Sequence, residues 1–167
     1  LAAKVTCIDE GITDVDLDLQ ADLIGMTVIT GTAPRAYELA SHFRRRNIPV
    51  VLGGPHITLA PDDAQPHADS IVVGYAEEEW PRLLQDFAAG HMQPCYRQSP
   101  DLKLTGYPLP DRTVLPRWRY ATSSVFEATR GCIHNCSFCV VPAAWGRTPF
   151  QKPIEAIVED IKRQRVR

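Results

Sequence analysis

Short apolar runs alternate with stripes of helical period along most of this chain. Lys4 to Asp9 (KVTCID) predicts a short strand closed by a turn at Glu10-Gly11, and an acidic stretch alternating aspartate with apolar residues follows. Leu23 to Thr30 (LIGMTVIT) is nearly continuous in apolar and β-branched residues, the pattern of a parallel strand buried on both faces, and reads as the best central strand. Gly31 to Pro34 then turns into a helix. Thr32 is its candidate N-cap, Pro34 lies in its first turn, and Ala36, Leu39, Ala40 and Phe43 fall at i, i+3, i+4 and i+7. The pattern repeats with Pro49 to Leu52 (PVVL) before Gly53-Gly54-Pro55, then Ile71 to Val73 (IVV) before Gly74. Trp80, Leu83, Leu84 and Phe87 give a second helical stripe, ended by Gly90.

Strand and helix alternating in this way predict an α/β protein with a doubly wound, flavodoxin-like or Rossmann-like parallel sheet. Such sheets bind ligands beyond the carboxyl ends of their strands. Here that position is held by Thr30-Gly31-Thr32, Gly53-Gly54-Pro55-His56 and Gly74-Tyr75-Ala76-Glu77. Glycines there let a ligand approach the backbone, and they also serve tight βα turns. No G-x-G-x-x-G opens a helix, so a nicotinamide dinucleotide site has little support. Gln93 to Arg119 holds five prolines and no sustained period, and reads as an extended connector. Ser123 to Ala128 predicts another strand, and Pro153 starts a helix with Ile154, Ile157, Val158 and Ile161 on one stripe. The expected division is 1–93, a connector at 94–121, and 122–167.

With 167 residues, 44% hydrophobic and 23% charged, the chain has room for one ordinary core or two small units. A net charge of -2 leaves no broad basic field for nucleic acid. Arg44-Arg45-Arg46 and Lys162 to Arg167 fall at predicted helix ends, where cations complement the dipole. No apolar run reaches the roughly 18 residues of a membrane span, and no leader opens the chain, so the cytoplasm is the expected compartment. Five cysteines, three of them clustered, do not read as a disulfide framework. Cys7 is expected in the core and Cys95 as an incidental thiol in the connector.

The clustered three are Cys132, Cys136 and Cys139, spaced C-x3-C-x2-C after Thr129-Arg130-Gly131. Thiolates this close on an irregular loop can converge on one metal centre. A zinc knuckle would need His134 as fourth ligand, although it lies between the first two cysteines and paired C-x2-C knuckles are absent. Three unrelated core cysteines fit poorly with polar neighbours such as Asn135 and Ser137. A cluster held by three cysteines, with one iron open to an outside ligand, accounts best for the spacing.

Two resemblances extend this reading. Ala21 to Thr27, the helix after it, and Val50-Val51-Leu52-Gly53-Gly54 resemble the cobalamin-binding domain family. That resemblance implies cobalamin contacts at Thr27, Ile29, Thr30, Gly53, Gly54, Pro55, His56, Gly74, Tyr75 and Glu77, with Thr27, Ile29, Gly53 and Gly54 around the nucleotide tail. The family's D-x-H-x-x-G motif would follow a strand before Lys4, so a chain truncated at its amino end is expected, and His56 does not take that motif's axial role. Cys132-x3-Cys136-x-Phe138-Cys139 resembles the signature of the radical S-adenosylmethionine superfamily, and Gly146-Arg147 with Pro153-Ile154-Glu155 resembles its cobalamin-dependent branch. The three thiolates would then hold a 4Fe-4S cluster, Phe138 would lie beside the adenine of S-adenosylmethionine or pack under the loop, and residues 122–167 would begin a partial (βα) barrel truncated at its carboxyl end.

The implied activity is cleavage of S-adenosylmethionine to a 5'-deoxyadenosyl radical, with cobalamin as second cofactor and methyl transfer to an unactivated centre as the leading option. A small-molecule substrate and an electron donor such as flavodoxin or ferredoxin are the implied partners. The alternative is a non-catalytic cobalamin carrier or sensor with a zinc-stapled, cysteine-rich tail. An electron carrier would call for a fourth cysteine ligand.

Overall fold

The computed structural model describes residues 3–99, 105–114, 116–121 and 125–165. The chain divides into two compact units, one spanning residues 17–102 and the other combining residues 2–16 with 103–167.

The first unit contains the expected parallel α/β sheet. Its strands are β1 (Ile24–Thr27), β2 (Val50–Gly53), β3 (Ser70–Val73) and β4 (Cys95–Arg97), all parallel and lying side by side in chain order. The intervening helices are α1 (Ala33–Arg45), α2 (Pro55–Leu59), α3 (Pro61–Ala64) and α4 (Glu79–Ala88). β2 is buried on both faces, with Val50, Val51 and Leu52 no more than 1% exposed. Side chains buried to that degree contribute about 1.5–3 kcal/mol each. The α1 stripe is buried as its period predicts, at Ala36, Leu39, Ala40 and Phe43. Thr32 stands at the N-cap position without capping the helix. Its hydroxyl instead accepts the Ile29 N–H at 3.3 Å and donates to the Ile29 carbonyl at 3.1 Å.

Three expectations change in this unit. Leu23 to Thr30 is not a central strand: only Ile24–Thr27 is extended, alternate residues are exposed, and β1 lies at the edge of the described sheet because nothing pairs with its far side. Lys4 to Asp9 forms no strand and Cys7 is exposed rather than in the core, since the segment joins no ladder. Cys95–Arg97 is the outer strand of the sheet and no part of an extended connector. Tyr96 drives that pairing. It is 2% exposed among Val51, Val72 and Leu83, and its hydroxyl donates to Asp86 at 2.8 Å while accepting the Gln93 N–H at 2.9 Å.

In the second unit, β5 (Thr129–Arg130) pairs antiparallel with β6 (Phe150–Gln151), flanked by α5 (Val141–Trp145) and α6 (Ile154–Arg165). Of the strand expected at Ser123 to Ala128, residues 123–124 lie outside the described residues and 125–128 are irregular. The Val125 carbonyl is taken by Arg112 Nη2 at 2.6 Å instead of by a ladder. That arginine also forms a two-pronged ion pair with Asp160 on α6, at 2.6 and 2.9 Å, and Asp160 is 8% exposed. The polar pair replaces apolar packing on α6, where Ile154 and Val158 are exposed. Residues 3–16 belong to the same unit: Tyr120 donates to Asp9 at 2.8 Å, and Arg119 donates to the Ile12 carbonyl at 3.0 Å.

Candidate functional site

Parallel register decides which side chains share a face. Gly25 is opposite Val51, Thr27 opposite Gly53, and Val51 opposite Ser70, so Gly25, Thr27, Val51, Gly53, Val72 and Gly74 all point to one side of the sheet. Three of those six are glycines, which leaves the sheet bare towards the carboxyl ends of its strands. A cavity of about 240 Å³ opens over this patch, lined by Gly25, Thr27, Gly53, Gly54 and Gly74, with Trp80 of α4 as the opposite wall. Two of these glycines have a steric reason. A Cβ on Gly25 would sit 2.8 Å from the Trp80 ring, and one on Gly54, whose φ is +99°, would sit 2.8 Å from the Val28 amide nitrogen.

The cavity rim is tied by one hydroxyl. Thr58 Oγ1 donates to the Gly54 carbonyl at 3.0 Å and accepts the Gly74 N–H at 3.0 Å, so the turns after β2 and β3 are held together. Gln98 adds a second tie by accepting the Tyr75 N–H at 2.8 Å. A wider, open depression of about 530 Å³ lies where β2 and β3 begin, bounded by Ser41, Arg44, Arg45 and Asp69. It is at the amino ends of the strands, and Arg44 there is already bound to Asp69 at 3.2 Å, so the smaller cavity is the better ligand site.

His56 and Thr30 form a different group. His56 is 9% exposed; its Nε2 lies 3.0 Å from the Tyr37 hydroxyl and its Nδ1 lies 3.3 Å from Thr30 Oγ1. Tyr37 also donates to Asp63 at 2.8 Å and stacks on His67 with ring centroids 3.9 Å apart. Burial, reinforced by the Asp63 acceptor, pushes the Tyr37 phenol up to about 12. The Tyr37 hydrogen bond in turn holds Asp63 below its usual carboxylate range.

Of the residues expected to contact a ligand, the structure thus gathers Thr27, Gly53, Gly54 and Gly74 at the cavity. Thr30 and His56 are brought together apart from it, Ile29 is exposed, and Pro55 starts α2. Gly25 and Trp80 were missed as site residues. Trp80 reads in sequence as core, and only the register of β1 against β2 reveals that it faces Gly25.

The cysteine loop leaves β5 between two fixed points. Glu127 accepts from Arg130 and from Lys152, each at 2.8 Å. Partial burial would raise the Glu127 carboxyl, but those two cations outweigh it and lower it. Gly131, with φ of +82°, lies against the Thr148 carbonyl, 3.1 Å from where a Cβ would stand. Cys132 and Cys139 are half-buried, Cys136 is exposed, and none of the three is in a disulfide. A turn joins them through the Cys139 N–H to the Cys136 carbonyl at 3.0 Å. Among the described residues no three histidine, cysteine or acidic side chains are gathered as metal ligands, so the loop shares its thiols without closing them round a point. Phe138 is 87% exposed and does not pack under the loop. Among the described residues no helix is long and apolar enough to cross a membrane.

Residues 3–84 match the B12 binding domain family. The chain is 39% identical over 155 residues to bacteriochlorophyllide d C-8(2)-methyltransferase of Chlorobaculum tepidum, covering 86% of this chain and 33% of that protein. It is 28% identical to hopanoid C-2 methylase of Rhodopseudomonas palustris, covering 70% of this chain and 23% of that one. It thus spans about a third or less of the length of these relatives. The radical S-adenosylmethionine methyltransferase TsrM from Kitasatospora setae, solved with cobalamin and a 4Fe-4S cluster bound, superposes with a TM-score of 0.62 at 15% identity, covering 89% of this chain and 36% of that one.

Proposed function

We propose that this chain, with a B12-binding domain in its first half, is a cobalamin-binding radical S-adenosylmethionine protein and forms part of a methyltransferase acting on a small molecule. In this reading the sheet unit at residues 17–102, β4 included, binds cobalamin, and residues 122–167 begin the radical-generating part.

The observation that carries the proposal is the bare glycine floor facing Trp80. A cavity of about 150 Å³ holds a benzene ring, so the 240 Å³ space suits the fused base of a cobalamin tail. Its apolar wall excludes water from that base, and the Thr27 hydroxyl at its edge can bind a polar part of the tail. Ile29, Thr30, Pro55, His56, Tyr75 and Glu77 would then border the ligand beyond the strand ends. At the other site the donor set fits an iron-sulfur centre: three unpaired thiols on one loop, with soft sulfur donors. Cys132, Cys136 and Cys139 would hold a 4Fe-4S cluster and leave one iron for S-adenosylmethionine. When bound, these cofactors supply the electron, the radical and the methyl carrier that the side chains cannot. Phe138, already outside the fold's interior, is free to cover the adenine.

The test is anaerobic reconstitution with iron and sulfide, followed by metal and sulfide analysis, together with a cobalamin titration. Four irons and four sulfides per chain, lost on changing any of the three cysteines to alanine, are expected. Zinc bound without sulfide would replace this reading with a stapled carrier module.

A further inference from the structure

Tyr37 and Asp63 lie outside the cavity and belong to no expected site, yet they complete a four-member chain of polar groups that ends at the exposed Thr30. Proton counting fixes its direction. A phenol has one proton, and a carboxylate can only accept. Tyr37 therefore spends its proton on Asp63, 2.8 Å away, and its oxygen faces His56 Nε2 as an acceptor at 3.0 Å. Nε2 must then carry the imidazole proton, with Asp63 itself a second acceptor at 3.4 Å. In a neutral imidazole this leaves Nδ1 bare. Thr30 Oγ1, 3.3 Å from Nδ1, must donate inward, and only its lone pairs remain for anything outside. Stacking on His67 and the burial of His56 hold the middle of the chain in place.

We propose that Asp63 and Tyr37 are positioning residues that fix His56 as its Nε2–H tautomer and thereby present Thr30, beyond the end of β1, as a hydrogen-bond acceptor for a ligand N–H. The ligand group it fits is a primary carboxamide, the group that fringes a corrinoid. A carboxylate or phosphate would meet lone pairs with lone pairs. This specificity rests on the cobalamin reading above, whereas the tautomer does not.

Two measurements test it in the 167-residue chain. Long-range nitrogen-proton NMR of the five histidines, with His56 assigned by its loss in His56→Gln, is expected to show Nε2 protonated and Nδ1 bare. In Asp63→Ala the Tyr37 proton has no carboxylate and turns to Nε2, so the tautomer should invert and Thr30 become a donor to the outside. Fluorescence titration with cobalamin and with a cobalamin monocarboxylate should show the wild type preferring the amide, by about tenfold or more for at least one carboxylate position. Asp63→Ala and Thr30→Val should lose that preference, and Thr30→Ser should keep it. An Nδ1–H tautomer in the wild type, or no inversion in a folded Asp63→Ala, overturns the relay. Equal affinity for amide and carboxylate at every position overturns the assignment of Thr30. If the tautomers behave as described but cobalamin does not bind, the cobalamin reading fails, the ligand half of the inference falls with it, and the relay stands.

Discussion

Replacing Thr58 by valine keeps the side chain's shape and removes one hydroxyl that serves two turns. The Gly54 carbonyl retains a partner, because the Thr58 backbone N–H also donates to it at 3.0 Å. The Gly74 N–H does not, since Thr58 Oγ1 is the acceptor that the structure gives it, at 3.0 Å in a part-buried setting. Stranding a buried donor costs about 1–3 kcal/mol, whereas an ordinary exposed hydrogen bond is worth about 0.5–1.5 kcal/mol. A loss of about 1–3 kcal/mol is therefore expected in Thr58→Val, and most of it should return in Thr58→Ser. Because the chain has two units, one global midpoint could blur the effect. Native-state hydrogen exchange of the Gly74 amide reads it directly, and protection should fall by roughly 5- to 150-fold, each 1.4 kcal/mol being tenfold. Cobalamin affinity should fall too, since Gly54 and Gly74 border the cavity. Unchanged Gly74 exchange in a folded Thr58→Val would refute the claim that this hydroxyl ties the rim.

Other substitutions probe separate parts. Gly54→Ala forces a side chain onto φ of +99° beside the Val28 backbone and should cost more than about 1 kcal/mol, whereas Gly31→Ala, with open space around it, should be silent in the same urea titration. Asp160→Ala strands the half-buried Arg112 guanidinium and should destabilise the second unit by about 3–5 kcal/mol, with Arg112→Met/Asp160→Leu recovering much of it in thermal denaturation. Tyr37 should remain unionised at pH 11 in a titration at 295 nm and ionise towards about 12. The sign follows from proton binding: the folded state holds this proton more tightly, so the stabilisation is complete below about pH 10 and is lost as pH rises towards 12. Asp63→Ala should bring that titration down, though not fully to 10, because burial is the larger cause.

Much of the first unit was legible because local pattern and burial agree there. PVVL and IVV are apolar runs too short for helices, and they became the strands around β2 and β3. The α1 stripe of Ala36, Leu39, Ala40 and Phe43 buried as its period required. Pattern failed where pairing decides the outcome. KVTCID has the alternation of a strand but no ladder to join, and Leu23 to Thr30 has central-strand composition at the edge of the described sheet. Cys95–Arg97 sits among prolines and carries only one strong strand former at its centre, so the tertiary anchor of Tyr96 on Asp86 was invisible. The thiol spacing was legible by itself. Gly25 and Trp80 were not, because their meeting depends on the register of two strands and on the helix packed over them.

The second unit draws its ends from opposite parts of the chain, since Tyr120 reaches Asp9 across 111 positions. Such a unit has a schedule imposed on it by the ribosome. At about 5–20 residues per second, residues 3–16 wait roughly 5–20 s before their partners are made, while residues 17–102 can fold meanwhile from pieces already in hand. Through that interval Asp9 and the Ile12 carbonyl wait without the Tyr120 and Arg119 donors that secure them, so residues 3–16 are held only after a much later stretch has been made. Slow translation or a stall after residue 102 would lengthen that interval and leave the first unit formed while residues 3–16 are still unanchored.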